Sequence, residues 1–381
     1  MTVVSLFAGP GGACQGILDA TGRHPVGLEY GADEIATRDA AGHVSIQADL
    51  FTFAPTDLDC EIDGLWASPP CPAFSMAGDR RGMPDVDRLR LNADRWVLAP
   101  GTRWADESSE LIMATLRWVD HHRPRWVVFE QVPPVLPVWE GAFNGMLRHG
   151  YRGWVGVLNA ADYGVPQTRK RAFLIMSLDG DAKPPSATHA HDPQPTLFGE
   201  PLRPWVSMAD ALGWVCREIA AGDWVLNTGR GWVKGGDRED AQKVSLERPA
   251  PTVTGLSGSQ WQLRAGSVTG KSQPTQRSIT EPAPTVGMGN DAAGWAWERP
   301  ATTITGDPRI TVPGRHDPNA RGYSQQYGPN PIRCTVDELA VLQSFPSGYP
   351  FQGSKTSQFK QVGNAVPPLL AQRIVEQFYV R

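Results

Sequence analysis

Val3-Val4-Ser5-Leu6-Phe7-Ala8-Gly9-Pro10-Gly11-Gly12 opens the chain, and its reading decides the fold. Val3–Phe7 is short, apolar and partly β-branched, the pattern of a buried strand. The glycines that follow form a turn, and Gly11–Ala20 reads as the start of a helix. A strand that runs through a glycine-rich turn into a helix lets a ligand approach bare backbone N–H groups at the helix N-terminus. The spacing departs from G-x-G-x-x-G, because Cys14 holds the last glycine position. The turn alone is therefore a weak signal, and its neighbours must support it.

Working outward, Val26–Glu29, Val44–Ala48, Gly64–Ala67, Trp126–Glu130, Tyr151–Leu158 and Ala172–Met176 read as further strands. Ser108–His121 carries apolar residues at helical spacing (Leu111, Ile112, Thr115, Leu116, Val119). Strands alternating with helices predict an α/β domain with a mainly parallel sheet covered on both faces. After Arg333, Val336–Ser344 and Pro367–Phe378 read as helices, so the C-terminus is expected to fold back onto the first domain. Thr335 with Glu338 three residues on makes a capping-box pattern.

The pattern changes near Asp179. Lys183–Pro204 is proline-rich and reads as a linker or long loop. Beyond it, apart from a helical pattern at Val206–Ala221, the chain to about Asn330 is dense in Gly, Pro, Thr and Trp. Glu247-Arg248-Pro249-Ala250-Pro251-Thr252-Val253-Thr254-Gly255 recurs as Glu281–Gly287 and as Glu298–Gly306. Each copy reads as a turn, a short strand and a glycine turn, which predicts a small β-rich module. The repeat is equally consistent with a contact role and with a purely structural one.

Composition sets wide bounds. The 381 residues are 40% hydrophobic and 20% charged, ordinary for a soluble globular protein with one large core and a smaller one. No apolar run approaches the roughly 18 residues that span a bilayer. The chain enters its first strand at once, so no leader is expected. Five scattered cysteines (Cys14, Cys60, Cys71, Cys216, Cys334) include no C-x-x-C pair, which argues against zinc and for a reducing, intracellular compartment. A net charge of −4 weakly opposes nucleic acid as a partner. Charge can be local, however, and Arg80, Arg81, Arg88, Arg90, Arg95 and Arg103 lie close together, diluted by Asp, with a solvated loop as the bland reading.

Four segments carry chemistry. In Ser68-Pro69-Pro70-Cys71-Pro72-Ala73-Phe74-Ser75, two prolines stiffen the backbone at a strand end and present a thiol to the crevice of an α/β sheet. A thiolate there is a strong nucleophile. In Phe129-Glu130-Gln131-Val132, Glu130 sits at the tip of an apolar strand, where a carboxyl group could bind a base edge and share a proton. Gln167-Thr168-Arg169-Lys170-Arg171 offers guanidinium groups for a phosphate or a carbonyl. Glu29 and Asp49, each ending a strand, suit the ribose and the amino group of an adenosine, with helix capping as the competing reading.

The order FAGPGG, SPPCPAFS, FEQV, QTRKR, RCTVDELAVLQSFP and QVGNAVPP resembles the motif series of the DNA (cytosine-5-)methyltransferases, over about residues 1–178 and 333–381. The resemblance implies a Rossmann-like S-adenosylmethionine-dependent methyltransferase sheet and a smaller β-rich target recognition domain. It places catalysis in 1–178, completed by 333–381, and target recognition in 179–332, with DNA in the cleft between them. Cys71 would attack C6 of a cytosine flipped out of double-stranded DNA, and C5 would take the methyl group. Glu130 would hold the N3/N4 edge. Arg169 and Arg171 would support the base and the carboxylate, with Arg171 the closer match to the family's catalytic arginine. Phe7, Gly9, Gly11, Gly12, Glu29, Tyr30, Asp49, Leu50, Pro69, Asn364 and Val366 would line the pocket for S-adenosyl-L-methionine. Phe74 to about Pro100 would be a mobile loop, with Ser75, Arg80 and Arg81 toward DNA. No metal is implied. The resemblance implies a monomer in the cytoplasm at the nucleoid, or in host cytoplasm if virus-encoded, of restriction-modification or orphan type.

Two positions depart from the family pattern. Gln131 stands where Asn is usual, and Pro72 where Gln often follows the cysteine. Three alternatives stay open: a cytosine-5 methyltransferase of tRNA, transfer of a different alkyl group from a modified sulfonium donor, and a non-catalytic DNA-binding homologue. The insert of about 150 residues favours double-stranded DNA over tRNA. Arg230, Lys234, Arg264, Lys271 and Arg277 are candidates for base readout, but the variable region spells no target. Trp205, Trp214, Trp224, Trp232, Trp261, Trp295 and Trp297 are expected mostly to fill a small core. His43, His121, His122 and His149 show no ligand spacing and are expected to pack or face solvent.

Overall fold

A computed structural model describes residues 2–74, 80–194, 201–212, 224–230, 259–265, 301–302 and 335–379. Seven strands form the main sheet: β1 (Thr2–Leu6), β2 (Val26–Glu29), β3 (Val44–Gln47), β4 (Ile62–Ala67), β5 (Trp126–Gln131), β6 (Arg152–Asn159) and β8 (Lys170–Ser177). Their order is β3-β2-β1-β4-β5-β8-β6. The pairs from β3 to β5 are parallel, and β8 runs antiparallel to both β5 and β6.

Two consequences position the site. The chain winds outward from β1 to β3 and then returns to place β4 on the other side of β1. The loops after β1 and β4 therefore diverge and leave a crevice at the strands' C-terminal ends. Because β8 is reversed, it is its beginning that lies at this edge. The register sets Gln131 opposite Ala172, so Arg171 arrives next to the end of β5.

The alternation of β5 divides the core between the two faces. Val127 and Phe129 join a cluster with α3 (Val86–Arg95), α4 (Ser109–His122) and α5 (Leu136–Arg148), through Leu89, Ile112, Leu116, Trp139 and Met146. Trp126 and Val128 join Ile17 of α1 (Gly12–Thr21) and Leu370 and Ile374 of the C-terminal helix Pro368–Tyr379. The two helices press so closely that a Cβ at Gly16 would strike the Pro368 carbonyl. A third cluster, Val336, Leu339, Leu342, Phe345, Tyr349, Phe351 and Val362, seats the other C-terminal elements. The capping box forms: the Glu338 N–H donates to Thr335 Oγ1 at 3.2 Å and the Thr335 N–H to Glu338 Oε2 at 2.7 Å.

Several elements differ from the sequence reading. Within the stretch expected to be a mobile loop, Phe74 to about Pro100, the described residues include a helix, Val86–Arg95. Phe74 is fully buried, and α3 buries Val86, Leu89 and Ala93 against α5. Those residues do have helical spacing, but Arg and Asp between them disguise it. Asp85 pins the start of α3 by accepting from the Ala105 N–H at 2.8 Å and Ser109 Oγ at 2.7 Å. Helices α2 (Ala32–Ala40), α5 and Lys355–Asn364 are additions to the elements expected from the sequence.

The proline-rich stretch is also no free linker. The Thr188 N–H donates to the Asp162 carbonyl and Trp205 Nε1 to Asp162 Oδ1, both at 2.9 Å, while Tyr163 Oη donates to the Pro185 carbonyl. This strap carries a short parallel pair, β9 (His189–Ala190) with β10 (Arg203–Pro204). Of the expected helix at Val206–Ala221, α6 (Met208–Leu212) is described. An antiparallel pair, β11 (Trp224–Arg230) with β12 (Ser259–Ala265), follows. Ala301 and Thr302, inside the third repeat copy, form β13, which pairs parallel with β7 (Gln167–Thr168). The other two copies, and Lys234, Lys271 and Arg277, lie outside the described residues. The remaining helices are α7 (Val336–Leu342), α8 (Lys355–Asn364) and α9 (Pro368–Tyr379).

Candidate active site

Cys71 follows β4 on a loop that supplies few of its own hydrogen bonds, because Pro69 and Pro70 have no N–H. Their carbonyls still need donors. Gln131, at the end of β5, provides both: Nε2 donates to the Pro69 carbonyl at 2.9 Å and to that of Pro70 at 3.3 Å. Its Oε1 accepts from the Val132 N–H at 2.7 Å. Gln131 thus braces the loop despite its departure from the family's usual Asn. On the other side the Phe74 N–H closes a turn onto the Cys71 carbonyl at 2.9 Å. Pro72 is exposed.

Burial pushes the Cys71 thiol above its ordinary pKa, Arg171 opposes that shift, Glu130 adds to it, and Arg169 opposes it more weakly. The thiol form therefore dominates at neutral pH. Glu130 is 8% exposed and pairs with Arg171 Nε through Oε1 at 3.1 Å. The sequence placed these groups about 40 to 100 residues apart, and the reversal of β8 brings them to one edge.

Arg169 takes a different place. It is 2% exposed, and its Nη1 donates to the Gly363 carbonyl at 3.0 Å. Burial first, and the Arg171 charge second, lower its pKa. Of the two arginines, Arg171 holds the carboxylate while Arg169 reaches back into the C-terminal segment.

The crevice beside β1 is built on left-handed backbone: Phe7 has φ 55°, Gly9 52° and Gly11 103°. The Gly9 N–H donates to Glu29 Oε2 at 2.7 Å, and the N–H groups of Tyr30 and Gly31 donate to Oε1 at 2.8 and 2.9 Å. Glu29 thereby organises both its own strand end and the turn after β1. A Cβ on Gly9 would meet nothing within 4 Å, so this face of the turn is open. Gly11 and Gly12 serve packing instead. A Cβ there would strike His43 and Tyr349, or the Val366 carbonyl.

Tyr30 is 71% exposed. Asp49 accepts from the Phe51 N–H at 3.0 Å, and Leu50 is buried beneath it. Asn364 is exposed at the end of α8, whereas Val366 and Pro69 are buried.

Sequence reasoning missed three residues here, Phe51, Tyr349 and Gln343. Phe51, 51% exposed two residues after Asp49, is a large apolar surface that a plain aromatic after a strand does not advertise. Tyr349 Oη donates to the Pro10 carbonyl at 2.7 Å, and His43 Nε2 lies 3.0 Å from the Tyr349 hydroxyl oxygen. Burial, helped by the Arg38 and His24 charges, lowers the His43 pKa to about 4, so a neutral ring donates from Nε2 to Tyr349. Gln343 is buried in the C-terminal segment. No local pattern marks Tyr349 or Gln343, since their partners are hundreds of residues away.

Ser75 lies outside the described residues, and Arg80 and Arg81 are exposed beyond that gap. His43 is buried, and His122 Nε2 bonds the Pro55 carbonyl at 3.0 Å, both in packing roles. Among the described residues, no group of three His, Cys, Asp or Glu could hold a metal ion, and no helix is long and apolar enough to cross a membrane.

The sequence matches the family described as C-5 cytosine-specific DNA methylase over residues 1–96 and 100–379. It is 28% identical over 391 residues to the Type II methyltransferase M1.HphI of Haemophilus parahaemolyticus, covering 99% of this chain and 86% of that protein. It is 26% identical to the Type II methyltransferase M.DdeI of Desulfomicrobium norvegicum, covering 99% and 88%. In structure it is similar to a putative DNA modification methyltransferase encoded within an E. coli prophage, with a TM-score of 0.53 at 19% identity over 100% of this chain and 98% of that one. This last likeness speaks to the fold, that of a methyltransferase with a mixed α/β sheet.

Proposed function

The chain belongs to the C-5 cytosine-specific DNA methylase family, and from that premise we propose that it transfers a methyl group from S-adenosyl-L-methionine to C5 of a cytosine flipped out of double-stranded DNA. One observation carries the reading. Cys71, Glu130 and Arg171 meet at the edge of the sheet where the β1 and β4 loops diverge.

The crevice fits the cofactor. The open face at Gly9 adjoins the first turn of α1, whose N-terminus has no side-chain cap, and this suits a carboxylate. The Glu29 oxygens keep acceptor capacity for ribose hydroxyls, and Asp49 for an amino group. Tyr30 and Phe51 offer exposed rings for a purine. Asn364, with Leu50, Pro69 and Val366 behind it, would complete the wall. When bound, the cofactor supplies an electrophilic methyl group.

Cytosine C5 is a poor nucleophile, and this chain's residues change that. Cys71 loses its proton and adds to C6, while Glu130 holds the N3/N4 edge and shares a proton with N3, making C5 enamine-like. Arg171 orients Glu130 and favours the thiolate. Arg169 supports the pair from behind. After methylation, loss of the C5 proton and expulsion of Cys71 restore the ring. Flipping costs a few kcal/mol, which backbone contacts must offset, with Ser75, Arg80 and Arg81 as their first candidates. Gln131 keeps the thiol loop braced, which supports an active enzyme over a binding-only homologue.

Residues 1–178 and 333–381 form the catalytic unit in this reading, with target recognition in 179–332 and its first stretch strapped to the catalytic unit at Asp162. The enzyme works as a monomer on DNA in the cytoplasm.

Bisulfite sequencing of mixed-sequence plasmid, after incubation with the protein and S-adenosylmethionine, tests the proposal. Protected cytosines in one recurring context support it and reveal the target. Absence of protection with cofactor still bound defeats it and shifts weight to RNA or another donor. Cys71→Ser should abolish turnover and leave cofactor binding nearly intact; retained turnover would sink the covalent step.

A further inference from the structure

We propose that Arg169 and Gln343 are positioning residues that couple the cofactor wall at Gly363–Val366 to the base-holding pair Glu130–Arg171. The inference rests on the function proposed above.

The turn after α8 is where the chain needs outside donors. The last carbonyls of a helix have no partner within it, and here they are buried. Gln343 is fully buried, and its Nε2 donates to the Val362 carbonyl at 3.1 Å and the Ala365 carbonyl at 2.8 Å. Its Oε1 accepts from Nε2 of the equally buried Gln167. Arg169 Nη1 donates to the carbonyl between them, that of Gly363. Three carbonyls of one turn are thus held by two side chains, and both lead to the β7–β8 corner. Asn364 and Val366 sit on that turn, and the Val366 carbonyl lies against Gly12.

The same corner leads into Arg171. The Arg169 carbonyl accepts from the Ala160 N–H at 2.9 Å, which anchors the corner to the sheet. Arg171 follows two residues later and pairs with Glu130 at 3.1 Å. The Gln343 amide uses both N–H groups and its oxygen, so it cannot shift toward one partner without leaving another. Buried as the group is, water cannot fill a gap cheaply. A ligand that settles the Asn364 turn therefore settles the Glu130–Arg171 pair, and by reciprocity a base held by that pair favours the cofactor.

The test is calorimetric, on the full chain. The probe is S-adenosylhomocysteine, titrated with and without a saturating short duplex that carries the context found by bisulfite sequencing. The wild type should bind the probe about tenfold tighter with DNA, and Gln343→Met and Arg169→Met should each cut that factor to within about twofold. Arg169→Lys keeps a donor for Gly363 and should restore part of it. Both variants also touch the wall itself, so the readout is the ratio of the two dissociation constants, with and without DNA, which a general loosening that weakens both equally would leave unchanged. An unchanged factor in folded variants, or a wild-type factor near one, overturns the proposal. Should the Met variants not fold, hydrogen exchange of the 362–366 amides in the wild type decides. Slowing on DNA addition supports the coupling, and no change overturns it. A wild type that binds neither DNA nor probe overturns the proposed function instead.

Discussion

Gln131→Asn tests whether the brace on the nucleophile loop matters. The position of Gln131 is set by its pairing with Ala172 in the sheet, so the backbone cannot advance to compensate. Its amide spans from the Val132 N–H at 2.7 Å to the Pro69 carbonyl at 2.9 Å. Asn is shorter by one methylene, about 1.5 Å of reach. One end of the span must open and leave a buried carbonyl or N–H without a partner. That costs about 1–3 kcal/mol, or a fall of about 1–4 °C in Tm. Cys71 sits two residues after Pro69, and a displacement of about 1 Å in a reacting group can cost about a hundredfold in rate. Single-turnover methyl transfer, thermal unfolding and cofactor titration should be measured together. The expected result is a rate lower by about 10- to 100-fold, a lower Tm and unchanged cofactor affinity. A variant with wild-type rate and Tm would refute the reasoning, because the loop would then hold its shape without the span.

Four further outcomes follow from the structure. Burial raises the Cys71 thiol, so single-turnover rates should climb by nearly tenfold per unit across roughly pH 7 to 9; a flat profile would mean the thiol is already ionised. Arg171→Ala removes the main opposing charge and should shift that climb to higher pH. His43 has its pKa lowered to about 4 from an ordinary 6.5, so its contribution to stability is complete above about pH 6.5 and is lost as pH falls toward 4. The loss reaches about 3 kcal/mol, and His43→Gln should flatten that acid limb in denaturant titrations at about pH 7 and 4.5. Asp49→Ala should weaken cofactor binding, and an unchanged dissociation constant removes Asp49 from the pocket.

Legibility tracked locality. Glu29 and Asp49 were visible because each ends a short apolar run, and Cys71 because two prolines precede it. Helix α3 resembles a loop in sequence because its buried Val86, Leu89 and Ala93 are separated by Arg and Asp. The proline-rich strap looked like a linker because nothing local shows that Asp162 will hold Thr188 and Trp205. Arg169 and Arg171 stand two residues apart in one basic run, and the resemblance alone favours Arg171 as the catalytic arginine. The burial of Arg169 against Gly363 and the pairing of Arg171 with Glu130 give that difference its physical basis.

The sequence by itself determined the alternation of strands and helices, the glycine turn after β1, and the chemical types at Cys71, Glu130 and Arg171. These follow from periodicity, backbone stiffness and side-chain chemistry over a few residues. The tertiary structure alone decided which of them meet. The insertion of a reversed β8 brings Arg171 to Glu130, and Tyr349, bonded to a neutral His43, holds the Pro10 carbonyl from the far end of the chain. Gln343 binds a turn near the C-terminus to the corner before Arg171. The reason is physical. A buried polar group must find a partner wherever the packed chain supplies one, and that partner's distance along the sequence leaves no local trace.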